Sequence, residues 1–495
     1  MPYTTQVVQS TPFLTTPVGQ KLIAGISNDL CVANEQNVKF CFEILIALDN
    51  SLTAPSPLNI NTLVSLGVFK TTPNNAGVGL LDISSILQNY VSADNLATDD
   101  SSFKINAADG RPIPIHLIDF YSRTSNAFKY FRVDGYTEYT DSSGVVQTTS
   151  PVNVMLSSII NCYVKDTDLL EWTDSTYTGN AFGFSYNLEP FAIKTGEQRK
   201  FLSNSPSTLF AKEGDYGTLS YLGQSTFPPT TGTFTDDVSY YKVSMFDSSD
   251  SSLGTYDIDR TTARGAYDGT VNVGGDGQNR ILYLGSFPAN LKVKTEFNTQ
   301  LSSGNLAYYT IGLYDVSNSL ISEEKKINLL CPNLKGYESI RITWLNQYGT
   351  WDYYTFDKKS VKKITAQEST YQQSDGTWNS SLYEPYGYKG GKKTFRVNAK
   401  ENVTVNTDYI SEEHSDWFEE LVNSPEVYIL KDWQSPRQKT SPYTSGSFRD
   451  DMMNQYATPV RVSSRGFTKK TIANDKLIQY TFEVEKSRTL NTQTI

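Results

Sequence analysis

Sixteen residues, Arg341 to Phe356 (RITWLNQYGTWDYYTF), constrain this chain more than any other stretch, because they crowd aromatic and aliphatic side chains around a single turn. Ile340, Ile342 and Trp344 alternate with Arg341, Thr343 and Leu345, the period of a half-buried strand. Asn346 to Gly349 reads as the turn, and Trp351 to Phe356 as the returning strand. A catalytic site announces itself by His, Cys or clustered carboxylates, and here only Asp352 interrupts the run. The segment predicts a β scaffold and names no reaction.

The rest of the composition agrees. Aromatic residues make up 13% of the 495, with 32 Tyr and 24 Phe, and charged residues only 19%. Disordered chains lack the aromatics, and helical bundles are richer in Ala, Leu, Glu and Lys. The length suits two to four domains at about 100 to 200 residues each. A net charge of -10 gives phosphate backbones no overall attraction, so no specific nucleic-acid binding is expected. Cys31, Cys41, Cys162 and Cys331 form no CxxC pair or ligand cluster and read as buried thiols, although neighbouring strands can bring Cys31 to Cys41. The N-terminus shows no basic region followed by an apolar core, and no stretch approaches the length of a membrane span; neither secretion nor a membrane is expected.

Along the chain, Val38, Phe40, Phe42, Ile44, Ile46 and Leu48 predict a long strand with one covered face. A second strand is expected at Leu63 to Lys70, and a short helix over 83–91 capped by Asp82, with Ile83, Ile86, Leu87, Tyr90 and Val91 as its stripe. Strands are expected at Ile113 to Phe120 and Ala127 to Tyr139, with a tip at Asp141 to Gly144. Ser175 to Thr235 reads as loops and short strands, with a boundary near Glu189. YYKVSMFDSSDSSLG (240–254) aligns without gaps to YYTIGLYDVSNSLIS (308–322), an offset of 68 residues. Two copies are too few for a solenoid, and they predict paired hairpins of similar build whose turns open on Asp247 and Asp315. Thr365 to Val397 reads as loop-rich. SEEHSDWFEELVN predicts a helix over 412–423, capped by Ser411, with Trp417, Phe418, Leu421 and Val422 inward and His414 exposed. Two strands follow at Glu426 to Leu430 and Val460 to Val462, and LIQYTFEVEKS closes the chain as a strand with Ile478, Tyr480, Phe482 and Val484 on one face. The expected fold is mainly β: antiparallel β-sandwich modules with a few short helices, divided as 1–160, 161–335 and an α+β domain at 336–495.

Catalytic, cofactor and metal sites are not expected. His116 and His414 stand far apart without ligand spacing, and no GxSxG elbow is present. Gly274 to Gly277 is a turn signal, and the pairs Asp99/Asp100, Asp236/Asp237 and Asp450/Asp451 read as solvated loops. The basic residues Lys358, Lys359, Lys362 and Lys363, with Lys389, Lys392, Lys393 and Arg396, read as a solvated face or as suited to an acidic partner, where contacts between subunits are preferred over nucleic acid.

Several segments together resemble tail-module structural proteins of bacteriophages infecting Bacteroidetes, including short-tailed crAss-like phages. They are SNDLCVANEQNVKFCFEILI (27–46), GLLDISSILQNYVS (79–92), YYTIGLYDVSNSLISEE, RITWLNQYGTWDYYTF, WFEELVNSPEVYI (417–429) and IQYTFEVEKSRTLNTQ. The resemblance implies a virion protein, assembled in the host cytoplasm, that forms a homo-oligomeric ring or hub in the tail or neck and contacts other tail or portal proteins. Aromatic anchors supply binding energy in such assemblies, and the candidates are Tyr348, Trp351, Tyr353, Trp378, Tyr383, Tyr386 and Tyr388 wherever the lone subunit exposes them. A receptor- or glycan-binding tail protein is the alternative, since Tyr- and Trp-rich sheets also stack on sugars.

Overall fold

A computed structural model describes residues 3–10, 15–47, 63–96, 114–118, 121–124, 126–163, 169–174, 181–186, 188–223, 238–259, 281–330, 337–430, 457–464, 466, 468 and 478–488. The expectations for Asp99/Asp100, Asp236/Asp237, Gly274 to Gly277, Cys331 and Asp450/Asp451 lie outside the described residues. The protein is mainly β, built of several mostly antiparallel sheets with short helices, as the sequence predicts. Two compact units divide it: Met1–Leu330 with Leu345–Asp352, and Cys331–Trp344 with Tyr353–Ile495.

In the first unit, a sheet of Gln6–Gln9, Ile23–Ser27 and Val78–Asp82 shares a core with a larger sheet. The larger sheet runs Thr15–Pro17, Val152–Ile160, Phe128–Thr140, Gln36–Ile46, Val64–Thr71. Ala24 and Ile26 meet Phe40, Phe42, Phe131 and Val133 in that core. The strand Gln36–Ile46 differs from expectation in being largely covered on both faces over its second half, where Cys41 and Leu45 are buried as well as Phe40 and Ile44, and Glu43 is half-buried. Cys31, Cys41 and Cys162 are buried free thiols, so Cys31 and Cys41 do not pair. The helix expected over 83–91 is one α turn, Ser84–Leu87, tightening into a 3-10 turn, Gln88–Tyr90. Asp82 Oδ1 accepts from the Ser84 N–H at 3.1 Å and its hydroxyl at 2.7 Å. The strand expected at Ile113 to Phe120 is a 3-10 turn at Ile115–Leu117, because Pro114 enters it with φ of -53°.

The internal repeat becomes a local two-fold. Tyr240–Phe246 and Tyr308–Tyr314 are neighbours in a five-stranded sheet, antiparallel, with Tyr240 opposite Tyr314 and Phe246 opposite Tyr308. Asp247 Oδ1 accepts from the N–H groups of Ser249 and Ser251 at 2.8 and 2.9 Å, and Asp315 Oδ1 from those of Ser317 and Ser319 at 2.9 and 2.8 Å. Each turn puts its fourth residue, Asp250 or Asn318, in the left-handed region at φ 60°, where a short polar side chain is tolerated. The Tyr308 hydroxyl reaches Asp250 at 2.9 Å, and the Tyr240 hydroxyl reaches Asn318. Lys326 covers the Tyr308 ring at 3.6 Å, as Lys242 covers that of Tyr314 at 4.4 Å. The Tyr308 and Tyr314 rings are thus each covered by one of the chain's own lysines.

The hairpin tip belongs to the first unit and is clamped there. Trp351 Nε1 donates to the Asp94 carbonyl at 2.8 Å, and Asn346 Nδ2 to that of Leu202 at 2.8 Å. Asp94 is itself a hub, accepting from the hydroxyls of Thr124 at 2.6 Å and Tyr283 at 3.0 Å. Gly349 turns with φ of 76°, and a Cβ there would stand 2.0 Å from the Asn161 carbonyl oxygen, so only glycine fits.

The second unit is organised by a seven-stranded sheet in the order Trp351–Phe356, Ile340–Leu345, Val427–Leu430, Ala457–Val462, Thr481–Lys486, Gly391–Asn406, Val361–Gln373. The expected half-burial of the aromatic hairpin is overturned: both of its strands are buried along their whole length. Its polar alternates are buried in bonded pairs; Arg341 Nη1, for one, donates to Thr355 Oγ1 at 2.8 Å. The helix Glu413–Asn423 sets Trp417 against Trp344, ring centroids 5.0 Å apart, and Phe418 against Phe482 at 5.3 Å. Ser411 does not cap this helix by its side chain; its hydroxyl lies 2.9 Å from His414 Nδ1. His414 is buried, against expectation, because it sits three and four residues before Trp417 and Phe418 and so shares their stripe. The closing strand is as expected, with Ile478, Tyr480, Phe482 and Val484 buried.

Candidate assembly surface

Of residues 365–397, expected to be loop-rich, 374–390 are turn and loop, whereas 365–373 and 391–397 are strand and belong to a long two-stranded ribbon. Val361–Gln373 pairs with Gly391–Asn406 from Val361 opposite Thr404 to Gln373 opposite Gly391. Gly391–Asn406 also pairs with Thr481–Lys486, but only over Asn402–Asn406. Beyond that root, ten pairs run about 30 Å at about 3.4 Å per residue. Eleven of the thirteen side chains of Val361–Gln373 are exposed, on both faces of the strand. No apolar face means no period-2 hydrophobic signal, and for that reason the ribbon was invisible in the sequence.

An isolated two-stranded hairpin is marginal in water, so the root must carry this one. Val403 and Val405 are buried there. A charge lattice surrounds the root: Lys400 to Glu485 at 3.0 Å, Arg461 to Glu485 at 3.1 Å and Lys486 to Glu401 at 2.7 Å. The Lys400 hydrogen bond, first among the causes, holds the Glu485 carboxyl below its ordinary pKa. Such exposed pairs are worth little singly, and their value here is in fixing the geometry of the ribbon's base.

The far end, 374–390, has its own order. Thr377 Oγ1 donates to the Leu382 carbonyl and accepts from the Glu384 N–H, both at 3.0 Å. Gly390 turns with φ of 92° where a Cβ would overlap the Asp375 carboxylate. Around this frame Trp378 and Tyr383 meet edge to face at 5.5 Å, and Tyr386 and Tyr388 stack at 5.6 Å. Lys389 Nζ lies 5.5 and 5.9 Å from the latter two rings. These rings lie at the surface: Trp378 is 75% exposed, Tyr388 71% and Leu382 71%. So large an apolar group in water at the end of a projection marks a contact surface.

The candidate residues thus separate. Tyr348, Trp351 and Tyr353 are buried within their own units and do not meet the condition of exposure. The Tyr348 hydroxyl bonds Asn204 at 2.9 Å, and the Tyr353 ring lies 5.2 Å from the Arg341 guanidinium. Trp378, Tyr383, Tyr386 and Tyr388 come together at the ribbon's end. Lys358 bridges Asp408 at 2.8 Å and Asp357 at 3.2 Å, and the Asp408 bond is the main cause raising its pKa. Lys362 bridges Glu338 at 2.6 Å; Lys359 and Lys363 are exposed. Ile364, Leu382, Phe395 and Lys400 belong to the same projection and carried no signal in the sequence, because each lies in a stretch without periodicity.

Elsewhere, Lys325 is deeply buried in the first unit. Its Nζ donates to the Ser205 carbonyl at 2.8 Å and lies 3.3 Å from Glu323. Burial lowers its pKa, against the Glu323 charge, which raises it. At 1% exposure it acts as a clasp inside the fold. Among the described residues no group of three or more His, Cys, Asp or Glu side chains could hold a metal ion, and no helix is long and apolar enough to cross a membrane.

No protein-family model matches the chain, and no curated protein matches it. Among solved structures it is similar to native Escherichia coli alpha-2-macroglobulin, at 8% identity and a TM-score of 0.18, over 82% of this chain and 22% of that one. Salmonella alpha-2-macroglobulin reacted with methylamine is similar at 8% identity and a TM-score of 0.19, over 100% of this chain and 30% of that one. The chain spans less than a third of either, and likeness at these scores carries no argument about function.

Proposed function

We propose that this chain is a structural subunit of a phage virion, acting by protein–protein assembly as part of a homo-oligomeric ring or hub in the tail or neck. The observation that carries the reading is the ribbon, a long rooted projection exposed on both faces and ending in unpacked aromatic rings. A lone subunit gains no core from such an element, whereas an assembly gains a contact that reaches beyond the body of each copy. The sequence segments that resemble phage tail-module proteins supply the setting: a virion, assembled in the host cytoplasm, with other tail or portal proteins as further partners. Light scattering and electron microscopy of the purified full chain test it. A closed oligomer is expected. A chain that stays monomeric at every concentration and is missing from virions overturns the proposal.

One observation favours a second reading. Trp378 and Tyr383 present ring faces and edges that suit stacking on sugars, as a receptor- or glycan-binding tail protein requires. A glycan array separates the two, since a ring subunit is silent there.

A further inference from the structure

The chain's charge is divided unevenly between its units. Of 43 Lys and Arg and 53 Asp and Glu, the second unit holds 22 and 19, leaving the first with 21 and 34. The first unit is thus at -13 and the second at +3. Residues 361–406 contain 7 basic and 4 acidic residues, so the ribbon accounts for the whole positive balance of its unit.

That charge is also placed on one side. Opposed residues share a face of a sheet, as do alternate residues along a strand. Lys363 faces Asn402, Thr365 faces Lys400, Ser369 faces Arg396 and Tyr371 faces Lys393, all on one surface of the ribbon. The bulge between Ser369 and Thr370 takes in the extra residue Phe395 and keeps Lys393 in line with Arg396. The opposite surface carries Ile364, Ala366, Val397 and Ala399, and its charges cancel, Lys362 and Lys392 against Glu368 and Glu401. One face is therefore a basic stripe and the other is mixed and more apolar.

We infer that the ribbon of one copy docks through its basic face on the acidic first unit of a second copy, its aromatic end seating against that neighbour. This rests on the assembly reading above and names the partner surface within it. Opposite net charges on the two contacting regions favour this head-to-tail contact over ribbon against ribbon, where like charges would face each other. A head-to-tail contact is heterologous, the kind that closes into rings. Thirteen residues of edge strand without a proline, Val361–Gln373, leave backbone donors and acceptors for the neighbour as well.

Three measurements on the full chain test the inference. Sedimentation velocity between about 50 and about 500 mM NaCl should show assembly weakened about tenfold or more by salt, as expected of exposed charge pairs. The triple variant Lys363→Glu, Lys393→Glu and Arg396→Glu, in which Lys363 and Arg396 are exposed and Lys393 is half-buried with its Nζ on the Tyr388 carbonyl at 2.7 Å, should keep the wild-type circular dichroism and stay monomeric where the wild type assembles. A benzoylphenylalanine cross-linker at position 388, in mixed isotope-labelled copies, should capture peptides from residues 1–330 of the other copy. Capture of residues 353–495 instead, or of anionic phosphatidylglycerol vesicles by a monomer, overturns the inference. Assembly that is equal in the triple variant and indifferent to salt overturns it and leaves the assembly reading standing, whereas a wild type monomeric throughout removes both.

Discussion

At the scale of single residues, the surroundings of a buried polar group decide how it titrates. His414 shows the consequence. Burial among Trp417 and Phe418 depresses its pKa from the ordinary 6.5 to about 4, and the bond to the Ser411 backbone opposes that only in part. The unfolded chain therefore takes up this proton first as the pH falls. Stability from the neutral ring is complete above pH 6.5, is lost as the pH drops towards 4, and changes no further below that. By pH 5 the loss amounts to about 2 kcal/mol, or about 4 to 8 °C of melting temperature for a unit of this size. His414→Gln keeps a neutral group beside Ser411, and its melting temperature should fall less between pH 7 and pH 5 by about that amount. Parallel curves for variant and wild type would refute the buried neutral imidazole. The position is legible in the sequence once 414, 417, 418 and 421 are read as one stripe, but polarity alone argued for the surface.

Among elements, the two Asp turns are the clearest case of local sequence dictating local structure. Each Asp accepts two backbone N–H groups, and each turn contacts a Tyr of the other copy. Removing either carboxylate leaves those donors to water or unpaired, at about 1 to 2 kcal/mol. The turns follow the C-terminal ends of antiparallel neighbours and so lie at opposite ends of the strand pair. Asp247→Ala and Asp315→Ala should each destabilise by that amount in urea unfolding, and the double variant should add within about 0.5 kcal/mol. A larger coupling would mean that the two ends of the repeat communicate through the stacked Tyr and Phe rings. The pairing of the copies with each other was not legible: an alignment gives similar hairpins, while adjacency in one sheet is a long-range contact.

For the whole molecule, the ribbon separates what holds the fold from what serves assembly. Replacing 366–399 by Asn-Gly joins Thr365 to Lys400, opposed residues, through a two-residue turn that suits a hairpin. Because the excised side chains are largely exposed and the root keeps Val403 and Val405, the melting temperature should move by no more than about 2 °C. The oligomer, in contrast, should be lost. A large fall in melting temperature would show that the ribbon stabilises its own unit, and retained assembly would place the interface elsewhere.

The amino-acid sequence by itself determined the β class, the inward face of the closing strand, the Asp turns and the aromatic stripe of the helix at 413–423, because each follows from a short-range period or a hydrogen bond within a few residues. Only the tertiary structure decided which aromatic residues face water. Trp351 and Trp378 are alike as residues; the first lies on a strand closed over by its neighbours, the second at the end of a ribbon that no other strand covers. Burial is a property of what packs against a segment, and a segment wet on both faces has no period to reveal it.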